Sequence, residues 1–129
     1  MLMQAYQDGD DVAKVVAVGE YLVKQVGEGD ATLLNNYAWF LAIHDAKLDR
    51  ALELARKAAA LQPEAAFILD TLGECLFRKG QLKEAVETQR KALKLAPERQ
   101  REEMAERLNK FEKALENRKK AAKKKERTT

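Results

Sequence analysis

Serine is missing from this chain of 129 residues, and histidine and cysteine occur once each, as His44 and Cys75. A serine triad or a multi-histidine metal site cannot be assembled from that inventory, so no metal site is expected. The one nucleophile option left is a Cys75–His44 dyad. It is set aside because Cys75 falls inside a helix beside its packing stripe, where cysteine serves as a small hydrophobe, while His44 falls in a turn. No Cys-x-x-Cys spacing exists, and a single cysteine excludes an internal disulfide. The chain is therefore read as no enzyme and as needing no cofactor. Its compartment stays open, with the cytoplasm favoured.

Proline is confined to Pro63 and Pro97 and glycine to six positions, so little interrupts helices outside a few points. No run of 18 apolar residues is present, and the segment from Met1 to Asp11 has no basic head followed by an apolar stretch. Neither a membrane span nor a secretory leader is visible, and a soluble chain is the expectation. With 46% hydrophobic residues over 129 positions, the chain suits one cooperative, all-helical unit and not two separate cores.

The formal charge of +3 conceals an asymmetry. Arg118 to Thr129 hold seven bases and one acid, a charge of +6, which leaves −3 for everything before them. The basic balance belongs to the tail, so it does not mark the fold as a nucleic-acid binder.

What the chain does contain is a repeat. At a shift of 34 residues, Leu48, Ala51, Ala55, Ala58 and Pro63 fall on Leu82, Ala85, Gln89, Ala92 and Pro97, with only the Ala55/Gln89 pair changing character. A period near 34 marks a helix-turn-helix solenoid. Apolar residues at helical spacing predict a first helix from Val12 to Val26, ended by Gly27–Gly29. A second runs through Leu34, Tyr37, Ala38 and Leu41, and a third through Leu48, Ala51, Leu52, Ala55 and Ala58, with the turn at 43–47. A fourth carries Leu69, Leu72, Gly73 and Leu76 as far as Gly80, and a fifth carries Leu82, Ala85, Val86, Ala92 and Leu93 up to Pro97. Pro63 and Glu64 suit the first turn of the fourth helix. Glu53 with Lys57 and Glu87 with Lys91 are spaced as helix-surface ion pairs.

The second full repeat, with Leu69, Leu72-Gly73, Leu76, Gly80, Leu82, Ala85, Ala92 and Pro97, resembles the tetratricopeptide repeat in order and spacing. The first, with Leu34, Tyr37-Ala38, Leu41, Leu48, Ala51, Ala55, Ala58 and Pro63, matches too, except that its turn has one extra residue and no glycine. Ala38 and Gly73 are packing residues, since helices of a hairpin approach closely only where one offers a small residue to the other's bulk. The resemblance implies a right-handed stack of helical hairpins: a partial first repeat at 1–30, full repeats at 31–64 and 65–97, a capping helix at 98–117, and a basic, frayed tail at 118–129. Val12–Val26 resembles the second helix of an earlier repeat, with Gly9-Asp10 as its turn. The chain is thus expected to begin inside a repeat, as the carboxy-terminal piece of a longer protein. Residues 68–108 are also similar to the carboxy-terminal repeat regions of bacterial thioredoxin-like and other multidomain proteins.

Met104, Leu108, Phe111 and Leu115 form one narrow apolar stripe after Pro97. It suits a solenoid cap, which needs one apolar and one polar face, better than a coiled-coil seam, which would make the chain a homodimer, because four positions span fewer than three heptads.

Function in such repeats resides on the trough formed by the first helix of each hairpin. There the fourth helix would present Phe67, Asp70, Glu74, Phe77 and Arg78, and the second Thr32, Asn35, Trp39 and Ile43. An aromatic floor with acidic contacts suits a helix or extended peptide bearing an apolar anchor and a basic residue. Phe67 and Phe77 have packing against neighbouring helices or the cap as their alternative role, and Asn36 is read as structural. Members of the family that clamp acidic carboxyl-terminal peptides use Lys, Arg and Asn; Asp70 and Glu74 have the opposite sign, so a chaperone-tail clamp is not expected. Lys119, Lys120, Lys123, Lys124 and Lys125, with Arg127, offer a second class of function, attachment to a nucleic acid or an anionic membrane. No aromatic is interleaved to stack bases, so nucleic acid is not the expected partner. A protein or peptide ligand is.

Overall fold

The computed structural model describes residues 11–128. The expected turn at Gly9-Asp10 and the partial helix before it lie outside the described residues. Six helices follow in order: α1 (Val12–Val26), α2 (Ala31–Ile43), α3 (Leu48–Leu61), α4 (Ala66–Arg78), α5 (Leu82–Leu95) and α6 (Glu98–Thr128). α2 pairs with α3 and α4 with α5 as hairpins, α4 lies against both α2 and α3, α1 rests on α2, and α6 closes the far end on α5. Among the described residues this is an all-helical stack of hairpins with a long terminal helix.

Local chemistry sets the boundaries. The Asp30 carboxylate accepts a hydrogen bond from the Leu33 amide at 3.0 Å and caps α2. Gly80, in the α4–α5 turn, has φ +81, a conformation open to glycine without strain. The α2–α3 turn, which lacks a glycine, puts Asp45 (φ 49) and Lys47 (φ 44) in the left-handed region instead. α4 starts only at Ala66, so Pro63 and Glu64 form the connecting turn, with the Ala65 amide bonded to Gln62 O at 3.2 Å, and do not open the helix.

The small residues stand where bulk arrives. A Cβ on Gly19 would lie 2.5 Å from the ring of Tyr37, which is fully buried and donates its hydroxyl to Glu20 Oε2 at 2.8 Å. α1 can therefore seat on α2 only through a glycine. The inward faces are broader than the stripes predicted: Leu54, Ile68 and Cys75 are fully buried as well, because α4 is sandwiched between its own partner and the preceding hairpin.

Charge pairs link α1 to α3, α3 to α5 and α5 to α6. Arg50 holds Glu20 at 2.9 Å, Arg56 holds Glu84 at 2.8 Å and Arg90 holds Glu112 at 2.9 Å. Lys57 pairs with Glu28 at 2.8 Å and Glu53 with Arg50, so the expected Glu53–Lys57 pair gives way to contacts with neighbouring charges. Exposed pairs of this kind contribute about 0–1 kcal/mol each.

Two of these pairs set an acid response. The hydrogen bond from Arg50, supported by Tyr37 and opposed by burial, holds the Glu20 carboxyl below its ordinary value, and Arg56 does the same for Glu84. Such groups stabilise the fold at pH above the ordinary carboxylate range, and that contribution disappears as the pH falls through their lowered values. Thermal unfolding should shift down between about pH 5 and pH 3, and the shift should be shallower in Glu20→Gln. An identical pH dependence in both proteins would remove Glu20 from the account.

Candidate functional site

α6 runs through the trough that the sequence leaves open. Arg107 reaches down from it to the α4 carboxylates, with Nη1 at 2.6 and 2.7 Å from the two oxygens of Asp70 and Nε at 3.4 Å from Glu74 Oε1. Its guanidinium also lies 5.1 Å from the Trp39 ring centroid. One turn further on, Phe111 is fully buried and stacks on Phe77 with centroids 4.6 Å apart. A helix bearing an apolar anchor and a basic residue is the ligand chemistry expected for this trough, and the chain supplies it from within. Packing against the cap is thus the observed role of Phe77.

Beneath that contact, Gln89 explains the one mismatched pair of the repeat. It is fully buried, and its amide donates to Asp70 Oδ1 at 2.6 Å and to Met104 O at 3.3 Å. A Cβ on Gly73 would stand 2.5 Å from Gln89 Oε1. Ala38 facing Ala55 has become Gly73 facing Gln89, so the second hairpin trades bulk across the same gap and gains a polar link to α6.

What stays open is a groove of about 430 Å³ between α2 and α6. Trp39 and Ile43 form its α2 wall, Glu74 and Arg78 its floor, and Glu103, Glu106 and Lys110 join Arg107 on the α6 wall. Ile43 is 39% exposed. On the floor Arg78 bonds Glu74 at 2.7 Å and Asp45 at 3.0 Å, which with Arg107 leaves the buried charges balanced. On the rim Glu106 has no ion pair among the described residues.

The nine trough positions therefore divide. Trp39, Ile43, Glu74 and Arg78 line the groove, while Asp70 and Phe77 lie under α6. Asn35 is buried, donating to Asn36 Oδ1 at 3.4 Å, and Thr32 and Phe67 are exposed near the amino-terminal ends of α2 and α4, outside the groove. The α6 wall is absent from the sequence reading, which treats that helix only as a cap. Its signal is the i, i+4 pair Arg107–Phe111, a base and an aromatic that answer Asp70 and Phe77, which stand seven apart on α4.

No cluster of three metal-ligating side chains occurs among the described residues, and no described helix is long and apolar enough to cross a membrane. Burial pushes the Cys75 thiol up to about 12. In the native protein at pH 8 it should resist iodoacetamide and react only in denaturant; fast labelling of the folded chain would reopen the dyad with His44.

Stacked antiparallel hairpins with an open groove define a helical-repeat solenoid. Residues 66–99, comprising α4, α5 and the first residues of α6, match the family model of the tetratricopeptide repeat. That part of the chain is a repeat of the tetratricopeptide type, and such repeats serve in general as protein–protein interaction modules, typically without catalysis. A comparison with curated proteins finds no match to the chain.

Proposed function

We propose that the chain is a non-catalytic adaptor that holds a peptide segment in the groove between α2 and α6. The observation that carries this reading is the half-exposed apolar wall of Trp39 and Ile43 facing the acidic rim of Glu103 and Glu106. Apolar surface beside Glu106, which has no ion pair among the described residues, suits a segment with an apolar side chain for the wall and a lysine or arginine for the rim. Asp70 and Phe77, where α6 fills the α4 face, are not part of this site.

The test is selection from a displayed peptide library on the full chain. Enriched peptides should pair an apolar residue with a base, and Trp39→Ala should weaken them by about tenfold or more. Peptides without that pattern, or equal binding to Trp39→Ala, would remove the groove from the proposal.

Dimerisation through α6 is the competing reading, and intrachain packing of its stripe weighs against it. Met104 and Phe111 are buried within the chain, and Leu108 and Leu115 pack on its core. Sedimentation showing a stable dimer that Leu115→Lys abolishes would restore it.

A further inference from the structure

α6 does not stop where its packing stops. Its 31 residues outlast the helices beneath it, and Arg118 makes a final contact with the stack, donating from Nη1 to Gly80 O at 2.6 Å. Beyond that point residues 119–127 are exposed and still helical, where the sequence suggests a frayed tail. Helical order gives their charges a direction.

At about 100° per residue, Lys119, Lys123, Arg127, Lys120 and Lys124 fall within an arc of about 140° over a length of about 12 Å. That arc is centred roughly 120° round the helix from the packing stripe of Met104, Leu108, Phe111 and Leu115, with Lys119 at its near edge and Lys124 almost opposite the stripe, and all five lie beyond the last packed turn. Among the described residues none of the five has an ion pair. Lys119 with Lys123, Lys120 with Lys124, and Lys123 with Arg127 are like charges one turn apart, which oppose the helix they sit on. An isolated cationic helix this short is marginal in water, and a bound polyanion would relieve the repulsion.

We propose that this end of α6 is a sequence-independent binding site for the phosphate backbone of duplex nucleic acid. A bilayer is the poorer fit, because the far side of 119–127 carries Ala121 and Ala122 with Lys125 and Glu126, and no large apolar residue to bury at an interface. A single strand is poorer too, because no aromatic is present to stack its bases. An α-helix fits the duplex major groove, and cations spread over this arc reach the phosphates on both walls. The net charge of −3 on everything before Arg118 keeps the rest of the molecule off the polyanion, so the footprint is limited to about five phosphates.

Fluorescence anisotropy of the full chain with a 20-base-pair duplex of random sequence tests this. Five contacts predict a slope of about −4 to −5 in log affinity against log salt, a loss of several hundredfold between 50 and 200 mM. Reversing the array with K119E, K123E and R127E together should weaken binding by at least about 100-fold at 50 mM salt. The same charge change made elsewhere, as K24E, K83E and K91E, should cost about fivefold or less. A122P keeps every charge but breaks the helix, and should lower both affinity and slope. Absence of binding at 50 mM salt, equal losses in the two triple variants, or an unchanged A122P would each overturn the proposal. So would tighter binding to phosphatidylserine vesicles or to polyglutamate than to the duplex.

Discussion

Phe111→Ala should lower the free energy of unfolding by about 3–5 kcal/mol, a large share of what a small domain has. The ring is fully buried, stacks on Phe77, and passes within 3.4 Å of where a Cβ on Gly73 would stand. Truncation leaves a cavity lined by α4 and α6, and α4 cannot follow the retreating surface because it is held on its other sides by α2, α3 and α5. α6 should therefore loosen first. Urea denaturation gives the magnitude, and amide exchange should show faster opening in α6 than in α2 and α3. Phe111→Leu, which keeps most of the volume, should cost less than about 1.5 kcal/mol. A loss below about 1 kcal/mol for the alanine variant would mean that α6 is not seated in the trough.

Asp70→Leu should cost about 3–5 kcal/mol for a different reason. The carboxylate accepts two hydrogen bonds from Arg107 and one from Gln89, and the Asp70 and Arg107 side chains are only 16% and 14% exposed. Removing it leaves a mostly buried guanidinium whose remaining carboxylate contacts are Glu74 at 3.4 Å and the exposed Glu103 at 3.3 Å, and it strips a partner from the Gln89 amide. Removing both charges avoids that penalty. Asp70→Leu combined with Arg107→Met should recover much of the loss, because Glu74 retains Arg78. The coupling between the two sites should reach about 1–3 kcal/mol in a double-mutant cycle, and strict additivity would show that the pair does not act as a unit.

These variants probe the part of the molecule that the chain's pattern conceals. Helices α1 to α5 are legible because each has an apolar stripe at helical spacing and a breaker at its end, and both signals are local. The interfaces of Gly19 and Gly73 are legible in kind, as positions where something large must approach. Which large group approaches is not: Tyr37 comes from the next helix, and Gln89 from the partner helix of the same hairpin. The trough is half legible for the same reason. Facing positions of α2 and α4 follow from register, but whether a face is open depends on a segment further along the chain that folds back over it. Phe77 and Trp39 look alike in the pattern, yet one stacks under α6 and the other lines the remaining groove.

Periodicity, glycine and proline placement and the 34-residue echo were enough to settle helices, hairpins and their stacking order, because the energies involved act within a turn or between adjacent elements. The charge of Asp70 and Glu74 was equally plain as composition, but its partner was not. Arg107 stands 37 residues from Asp70 and pairs with it only because Phe111 and Met104 carry α6 across α4 and α5. Burial of that apolar stripe decided which half of the trough closed, and the groove beside Trp39 is what the packing left uncovered.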